Sequence, residues 1–190
     1  SVMEKEVLQY LNLKGRSVIV DGTLGDGGHT ELILKNTGPA LRVLGIDRDL
    51  QAIGRAGERL APFRNRVILV HGNFSDIKNI LKKVGMVKID GLLLDLGVSS
   101  PQLDLPERGF SFMRNGPLDM RMDSTQQTTA ADLLVKLSDQ ELTSLIKEYG
   151  EERYSKRIVR AIRKAQGQNP VTTTLHLSEI ISSVAYSSRP

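Results

Sequence analysis

Short apolar runs alternate with amphipathic segments along the first half of the chain. The β-branched run 18–20 ends at Asp21, a glycine-rich turn follows, and the apolar residues of 30–35 recur at helical spacing. Strands that alternate with helices of this length predict an α/β fold with a parallel sheet covered on both faces. We predict strands over 17–21, 42–47, 66–70 and 89–95, and helices over 2–11, 29–35, 50–60 and 75–84.

The pattern changes after Asp95. Residues 96–123 are rich in glycine, serine, proline, arginine and aspartate and have no regular period, and a loop of that length is usually functional. We therefore expect two domains, an α/β domain over 1–123 and an all-α domain over 124–190. In the second domain we predict helices over 130–137, 139–150 (opened by a Ser138 capping box and ended by Gly150), 151–165 and 174–185.

The composition limits the chemistry. The chain has 190 residues, 39% of them hydrophobic, and no cysteine. It therefore has no disulfide, no thiolate metal site and no cysteine nucleophile, which favours a cytoplasmic location. No apolar run approaches the ~20 residues that a membrane span needs, and no signal-peptide pattern opens the chain. The formal net charge of +4 indicates a polyanionic partner or simply a mildly basic protein.

Polar or aromatic residues follow the ends of all four predicted strands: Asp21, Asp47, Phe74 and Asp95. Ligands of such sheets bind outside the carboxyl ends of the strands. Asp47 lies about 20 residues after the glycines, a spacing at which an acid accepts the ribose hydroxyls of a nucleotide. Each residue has a structural alternative, because an aspartate after a strand often caps a helix and Phe74 is as readily a core residue. The agreement of all four favours a nucleotide site.

The glycine-rich turn distinguishes between nucleotides. Gly25, Gly27 and Gly28 let the backbone approach a ligand, but Thr30 stands where a dinucleotide-binding turn has its third glycine, and there is no Walker lysine. The Asp21 carboxylate would repel a pyrophosphate and suits a cation. Electrostatics therefore favours S-adenosylmethionine, which carries an ammonium and a sulfonium group, over NAD.

Four segments carry a family resemblance: Asp95-Leu-Gly-Val-Ser-Ser-Pro-Gln-Leu-Asp104, Arg108-Gly-Phe-Ser-Phe112, Gly116-Pro-Leu-Asp-Met-Arg-Met-Asp123 and Tyr149-Gly-Glu-Glu-Arg153. With these segments the sequence resembles the MraW/RsmH family, the S-adenosylmethionine-dependent 16S ribosomal RNA (cytosine-N4)-methyltransferases. It implies a Rossmann-like class I methyltransferase sheet with an all-α helical insertion domain. The family's opening His-x-Pro-Val motif is missing here, and the family continues well beyond Pro190, so we expect the last strands of the sheet to be lacking.

The resemblance also assigns cofactor contacts. It implies that Gly27, Gly28 and His29 hold the methionine part of S-adenosylmethionine, Asp47 the ribose and Phe74 the adenine side. Asp95 and Gln102 are implied to line the same pocket. To these we add Asp21 and Gly25 from the electrostatics and the turn. We expect His29 to make contacts and not to act as an acid or a base.

Methylation of an exocyclic amine is a direct in-line displacement that needs positioning and a proton acceptor, and it requires no metal. The absent cysteine excludes cytosine C5 methylation. Asp95, with the carbonyls of 96 and 97, is the candidate acceptor, and Ser99 and Asp119 are the other catalytic candidates. Asp119 either holds the target base or fixes its loop through Arg108 and Arg121. Phe110 or Phe112 would stack on the base, or pack in the core.

The positive charge is concentrated on the third predicted helix of the all-α domain, where a run of basic residues contains no acidic residue. We predict that this run contacts the backbone of 16S ribosomal RNA in the small ribosomal subunit, against the alternative of a solvated face. A DNA amino-methyltransferase and a non-catalytic RNA-binding module stay as alternatives, and a homodimer is left open. The basic residues are Arg153, Lys156, Arg157, Arg160, Arg163 and Lys164.

Overall fold

A computed structural model describes residues 2–186, with the side chains of 185 and 186 excepted. The chain divides into two compact units, Ser1–Gly97 and Val98–Pro190. Among the described residues, no helix combines the length and the apolar character that a membrane crossing requires.

The first unit contains a four-stranded sheet in the order β3-β2-β1-β4. All three pairings are parallel, and Val20 of β1 lies opposite Leu44 of β2 on one side and Leu92 of β4 on the other. The carboxyl ends of the strands therefore meet at one edge, as the sequence predicts for this α/β fold. The strands are β1 (Val18–Asp21), β2 (Arg42–Asp47), β3 (Val67–His71) and β4 (Gly91–Leu93).

Helices cover both faces of this sheet, with one apolar cluster on each face: Ile19 and Val43 pack on one side, and Val20 and Leu44 on the other. Ile19, Val43 and Leu44 are fully buried, and each such side chain contributes about 1.5–3 kcal/mol through the apolar surface that it removes from water. The helices of this unit are α1 (Glu4–Leu11), α2 (Gly28–Lys35), α3 (Leu50–Arg59) and α4 (Ile77–Lys83).

Several elements of the first unit differ from their predicted bounds by one or two residues at an end, and for α4 and β4 the structure shows local contacts at the shifted start. α4 begins two residues late because Asn73 caps a 3₁₀ turn at Phe74–Asp76, where its side chain accepts a hydrogen bond from the Ser75 amide (3.0 Å). β4 begins late because the Asp90 carboxylate accepts the amides of Ser17 and Val18, at 2.7 and 2.9 Å.

The second unit is helical around one apolar core that includes Leu134, Leu142, Ile158 and Ile162. As the sequence predicts, Ser138 opens a helix with a capping box, since its hydroxyl oxygen accepts the Glu141 amide (3.3 Å). A short helix, α5, lies inside the stretch that the sequence predicts to be a loop. The helices are α5 (Ser100–Asp104), α6 (Ala130–Lys136), α7 (Asp139–Gly150), α8 (Ser155–Gln166) and α9 (Thr174–Tyr186).

The boundary between the units falls after Gly97 and not at the predicted position, Asp123. The reason is a long-range contact: Leu118 is 3% exposed and packs in the helical core, and its amide donates to the Thr172 carbonyl at 2.8 Å. Pro117 and Thr173 form an antiparallel bridge beside it. The segment after Gly97 therefore belongs to the helical unit.

Candidate functional site

Asp21 ends β1 with its carboxylate buried behind the glycine-rich turn. It is 1% exposed; its Oδ2 accepts the Thr30 hydroxyl at 2.7 Å, and its Oδ1 accepts the Thr23 amide at 3.3 Å. Burial raises the pKa of Asp21 from 3.8 to about 6, and the hydrogen bonds only partly offset this. A buried negative charge is costly, so a cation at this edge of the sheet would be stabilised.

Asp47 ends β2 and holds the glycine-rich turn in place. Its Oδ2 accepts the Gly25 amide at 2.7 Å, and its Oδ1 accepts the Asp49 amide at 2.8 Å. Asp49 in turn caps α3 by accepting the Gln51 amide at 3.0 Å. The Asp47 carboxylate is thus oriented before any ligand arrives, and each oxygen keeps a lone pair for a hydroxyl donor.

The turn needs its glycines for conformation and for space. Gly25 and Gly27 have φ values of 52° and 80°, in the left-handed region. A Cβ on Gly27 would lie 3.0 Å from Cδ1 of Leu60, so a side chain there would disturb the core. α2 starts directly after this turn, at Gly28.

His29 connects the start of α2 to the end of β4. Its Nε2 lies 2.8 Å from the Val2 carbonyl oxygen, so this nitrogen carries a proton, since a carbonyl oxygen only accepts. Its Nδ1 lies 4.0 Å from Oδ2 of Asp95, a side chain that is 51% exposed. The Asp95 amide donates to the Thr23 hydroxyl oxygen at 2.7 Å, which fixes Asp95 beside the turn.

Phe74 lies at the same edge of the sheet. It is half-buried, and its Cβ would be 3.2 Å from a Cβ built on Gly22 in the turn after β1. The structure therefore brings the predicted cofactor residues of the first unit together at the carboxyl ends of the strands. These residues are Asp21, Gly25, Gly27, Gly28, His29, Asp47, Phe74 and Asp95.

Gln102 and Ser99 belong to the second unit. Gln102 is 6% exposed, and its Oε1 accepts the Ser99 amide at 2.9 Å, which stabilises the start of α5. The Ser99 hydroxyl is buried without a hydrogen-bond partner among residues 2–186. The cofactor contact of Gln102 and the catalytic role of Ser99 stay predictions.

Asp119 forms a bidentate ion pair with Arg121. Nε of Arg121 donates to Oδ1 at 2.7 Å, and Nη2 donates to Oδ2 at 2.6 Å. Hydrogen bonding to Arg121 lowers the pKa of Asp119 below its usual value. Arg108, only 7% exposed, donates to the carbonyls of Arg121 and Met122 at 3.1 and 3.2 Å. The alternative in which Asp119 fixes its loop through the two arginines fits these contacts better than a base-holding role.

Met120, which sequence reasoning missed, lies between the two members of this ion pair. Its φ is 59° and its side chain is 46% exposed. A left-handed conformation costs a residue other than glycine about 1–2 kcal/mol. The left-handed backbone of Met120 could not be predicted from the sequence, because contacts with the surrounding loop impose it.

The basic run lies on and just before α8. Lys156, Arg157, Arg160 and Lys164 are exposed, whereas the opposite face of the helix is buried in the core. Arg153 precedes the helix, and its guanidinium carbon lies 4.7 Å from the ring centroid of Tyr154. The structure therefore places five of the six predicted RNA-binding side chains in solvent.

Arg163 is the exception, because it holds the helical unit together. Its Nε donates to Asp139 at 2.7 Å, and its Nη2 donates to the Leu137 carbonyl at 2.5 Å. Its Nη1 donates to the Leu134 carbonyl and, at 2.9 Å, to Gln166. These bonds satisfy carbonyls at the carboxyl end of α6. Arg163 therefore has a structural role, and its RNA contact stays a prediction.

A surface cavity of about 620 Å³ lies along α7 and is lined by Leu145, Glu148 and Tyr149 among others. None of the predicted site residues lines this cavity. The polar edge of the sheet in the first unit therefore stays the candidate cofactor site. Within residues 2–186, no group of three or more histidines and carboxylates is arranged to hold a metal ion.

The fold and the polar edge define a Rossmann-like α/β protein of the methyltransferase type, with a glycine-rich turn and acids at successive strand ends. The sequence profile of the MraW methylase family matches residues 1–189. The chain belongs to this family.

Curated relatives of the chain carry the name ribosomal RNA small subunit methyltransferase H. The relative from Syntrophotalea carbinolica is 50% identical over 181 residues, or 95% of this chain. Those from Geobacter sulfurreducens and Carboxydothermus hydrogenoformans are 51% and 49% identical, each over 95% of this chain. The chain spans only 57–58% of the length of these three relatives.

Proposed function

We propose that the chain is part of an S-adenosylmethionine-dependent methyltransferase that methylates the exocyclic N4 of a cytidine in 16S ribosomal RNA. The observation that carries this proposal is the buried Asp21 carboxylate behind a glycine-rich turn. Such an edge favours a cationic ligand over a pyrophosphate. Family membership and the names of the relatives support ribosomal RNA as the methyl acceptor.

Different residues of the candidate site contact different parts of S-adenosylmethionine. Asp21 and the turn around Gly27 and His29 receive the methionine part, where the ammonium charge offsets the buried carboxylate. Asp47 accepts the ribose hydroxyls on the lone pairs that its two backbone donors leave free. Phe74 packs beside the adenine.

When bound, S-adenosylmethionine would supply an electrophilic methyl group to the cytidine N4, with the sulfur keeping the electron pair of the broken carbon–sulfur bond. Asp95 takes the proton that N4 must lose; its side chain is accessible, and the Thr23 hydroxyl holds its backbone. Ser99 orients the amine, and the Asp119–Arg121 pair keeps the loop rigid.

The exposed basic side chains on α8 and just before it bind the RNA. Arg153, Lys156, Arg157, Arg160 and Lys164 contact phosphates, and a single-stranded or splayed cytidine presents its base edge. The stacking aromatic is Phe112, which is 63% exposed, and not the half-buried Phe110.

Radiolabelled methyl transfer from S-adenosylmethionine to unmodified 30S subunits tests the proposal. The expected product is N4-methylcytidine in 16S ribosomal RNA. The matched variants are Asp47→Asn and Arg48→Gln, which change neighbouring residues. Only Asp47→Asn is expected to weaken cofactor binding in calorimetry, by about tenfold for one charge-assisted hydrogen bond. Absence of cofactor binding heat would leave the non-catalytic RNA-binding module, and methylation of duplex DNA would favour the DNA amino-methyltransferase.

A further inference from the structure

Met120 is the apolar centre of a turn that its neighbours hold in a strained conformation. Its φ of 59° is in the left-handed region that favours glycine. Its amide donates to the Arg108 carbonyl at 3.1 Å, and the next amide, of Arg121, donates to Oδ1 of Asp119 at 3.0 Å. The strain therefore persists because hydrogen bonds on both sides of the residue fix the backbone.

The backbone of the turn packs closely against another part of the same loop. A Cβ on Gly109 would lie 2.4 Å from the Pro117 carbonyl oxygen and 3.1 Å from the Met120 amide nitrogen. The backbone at Gly109 therefore leaves no room for a side chain between it and the turn. The Asp119 carbonyl also accepts the Ala130 amide at 2.7 Å, which ties the turn to the start of α6. A conformation determined this many times over is typical of functional positions.

Almost half of the side chain remains open to solvent. Met120 is 46% exposed, whereas Leu118, two residues earlier, is 3% exposed in the helical core. A thioether is polarisable and contacts aromatic rings favourably, and apolar side chains of this size are used as wedges between nucleobases. Because the backbone of the turn is already fixed, contact with an unstacked base would cost little further backbone entropy.

We propose that Met120 is an apolar wedge that contacts a nucleobase of the RNA substrate. This inference rests on the proposed function and adds an RNA-contacting residue of the second unit to it.

Methyl transfer to unmodified 30S subunits by the active protein tests the wedge, with Met120→Gly, Met120→Leu and the control Asn12→Gly. Asn12 is exposed and has a φ of 45°, so Asn12→Gly relieves backbone strain outside the turn. Met120→Gly is expected to slow methyl transfer at least about fivefold, with the affinity for S-adenosylmethionine unchanged. Its Tm should be unchanged or rise by about 1–3 °C, since glycine removes the strain. Met120→Leu should retain most of the rate.

The outcomes separate the inference from the function on which it rests. A wild-type protein that transfers no methyl group refutes the proposed function. An active wild type with an equally active Met120→Gly refutes the wedge alone. A lowered Tm in Met120→Gly means that Met120 packs against protein, and an equal rate loss in Asn12→Gly means that strain relief itself slows the reaction; either result overturns the wedge.

Discussion

Replacement of Asp21 by asparagine should stabilise the protein at neutral pH and weaken cofactor binding. The folded protein holds this carboxylate at a pKa of about 6, raised by burial from 3.8. A raised pKa means that between these two pH values the folded state keeps a proton that the unfolded state has lost. Stability therefore falls as the pH rises from about 4 to 6, and the loss is complete above 6.

The size of the effect follows from the shift. At 1.36 kcal/mol for each pH unit, the step from 3.8 to about 6 corresponds to about 3 kcal/mol of stability lost at pH 8. Asparagine carries no charge, so Asp21→Asn escapes this cost. It keeps one oxygen for the Thr23 amide but loses the acceptor for the Thr30 hydroxyl, which offsets about 1 kcal/mol. We expect a net gain of about 1–2 kcal/mol at pH 8.

Urea unfolding of Asp21→Asn and the wild type at pH 4 and pH 8 measures this difference. The variant should gain at pH 8 and show no gain, or a small loss, at pH 4. Asp90→Asn is the control of opposite sign, because the Ser17 and Val18 amides lower the pKa of Asp90 and its contribution is present at high pH. Calorimetry should show weaker S-adenosylmethionine binding by Asp21→Asn. A variant less stable than the wild type at both pH values would refute the reasoning.

Three further substitutions separate neighbouring roles. Arg163→Ala should lower the free energy of unfolding by about 2–3 kcal/mol in urea titrations, since it removes the Arg163 donor to the Leu137 carbonyl, one of the two donors to the Leu134 carbonyl and the ion pair with Asp139. Arg160→Ala, on the same helix and exposed, should leave that free energy within about 0.5 kcal/mol and reduce the slope of log affinity for RNA against log salt by about 1. Gly27→Ala should lower Tm by several degrees, because its φ of 80° and the nearby Leu60 exclude a side chain, and a wild-type Tm would contradict this.

The sequence predicted the elements correctly where neighbouring residues in the chain determine them. All four predicted strands are present, although β4 is shorter at both ends, and β2 has its predicted bounds because its apolar run is bordered by polar residues. The Ser138 capping box and the buried stripe of Ile158 and Ile162 are likewise set by neighbours in the chain. The edge residues could be grouped because parallel strands must bring their carboxyl ends together.

The sequence failed where distant contacts decide. Arg160 and Arg163 are the same residue type in the same run, and only the carbonyls at the end of α6 distinguish them. The boundary after Gly97 depends on the Leu118–Thr172 hydrogen bond, between residues far apart in the chain. The 3₁₀ turn that delays α4 depends on whether Asn73 or Ser75 makes the cap, and both are good capping residues.

Asp21 and Met120 share a physical property that separates them from the structural residues around them. The buried charge of Asp21 and the left-handed backbone of Met120 each cost the fold free energy, whereas Arg163 and Asp90 contribute to it. A residue that lowers stability where a plain substitute would raise it is not explained by the fold. A cationic ligand bound beside Asp21 would offset the free-energy cost of its buried charge. The apolar face of a nucleobase bound against Met120 would likewise offset the cost of its left-handed backbone. Asp21→Asn, which should raise stability, and Met120→Gly, which should not lower it, are therefore the variants in which function should be lost without loss of stability.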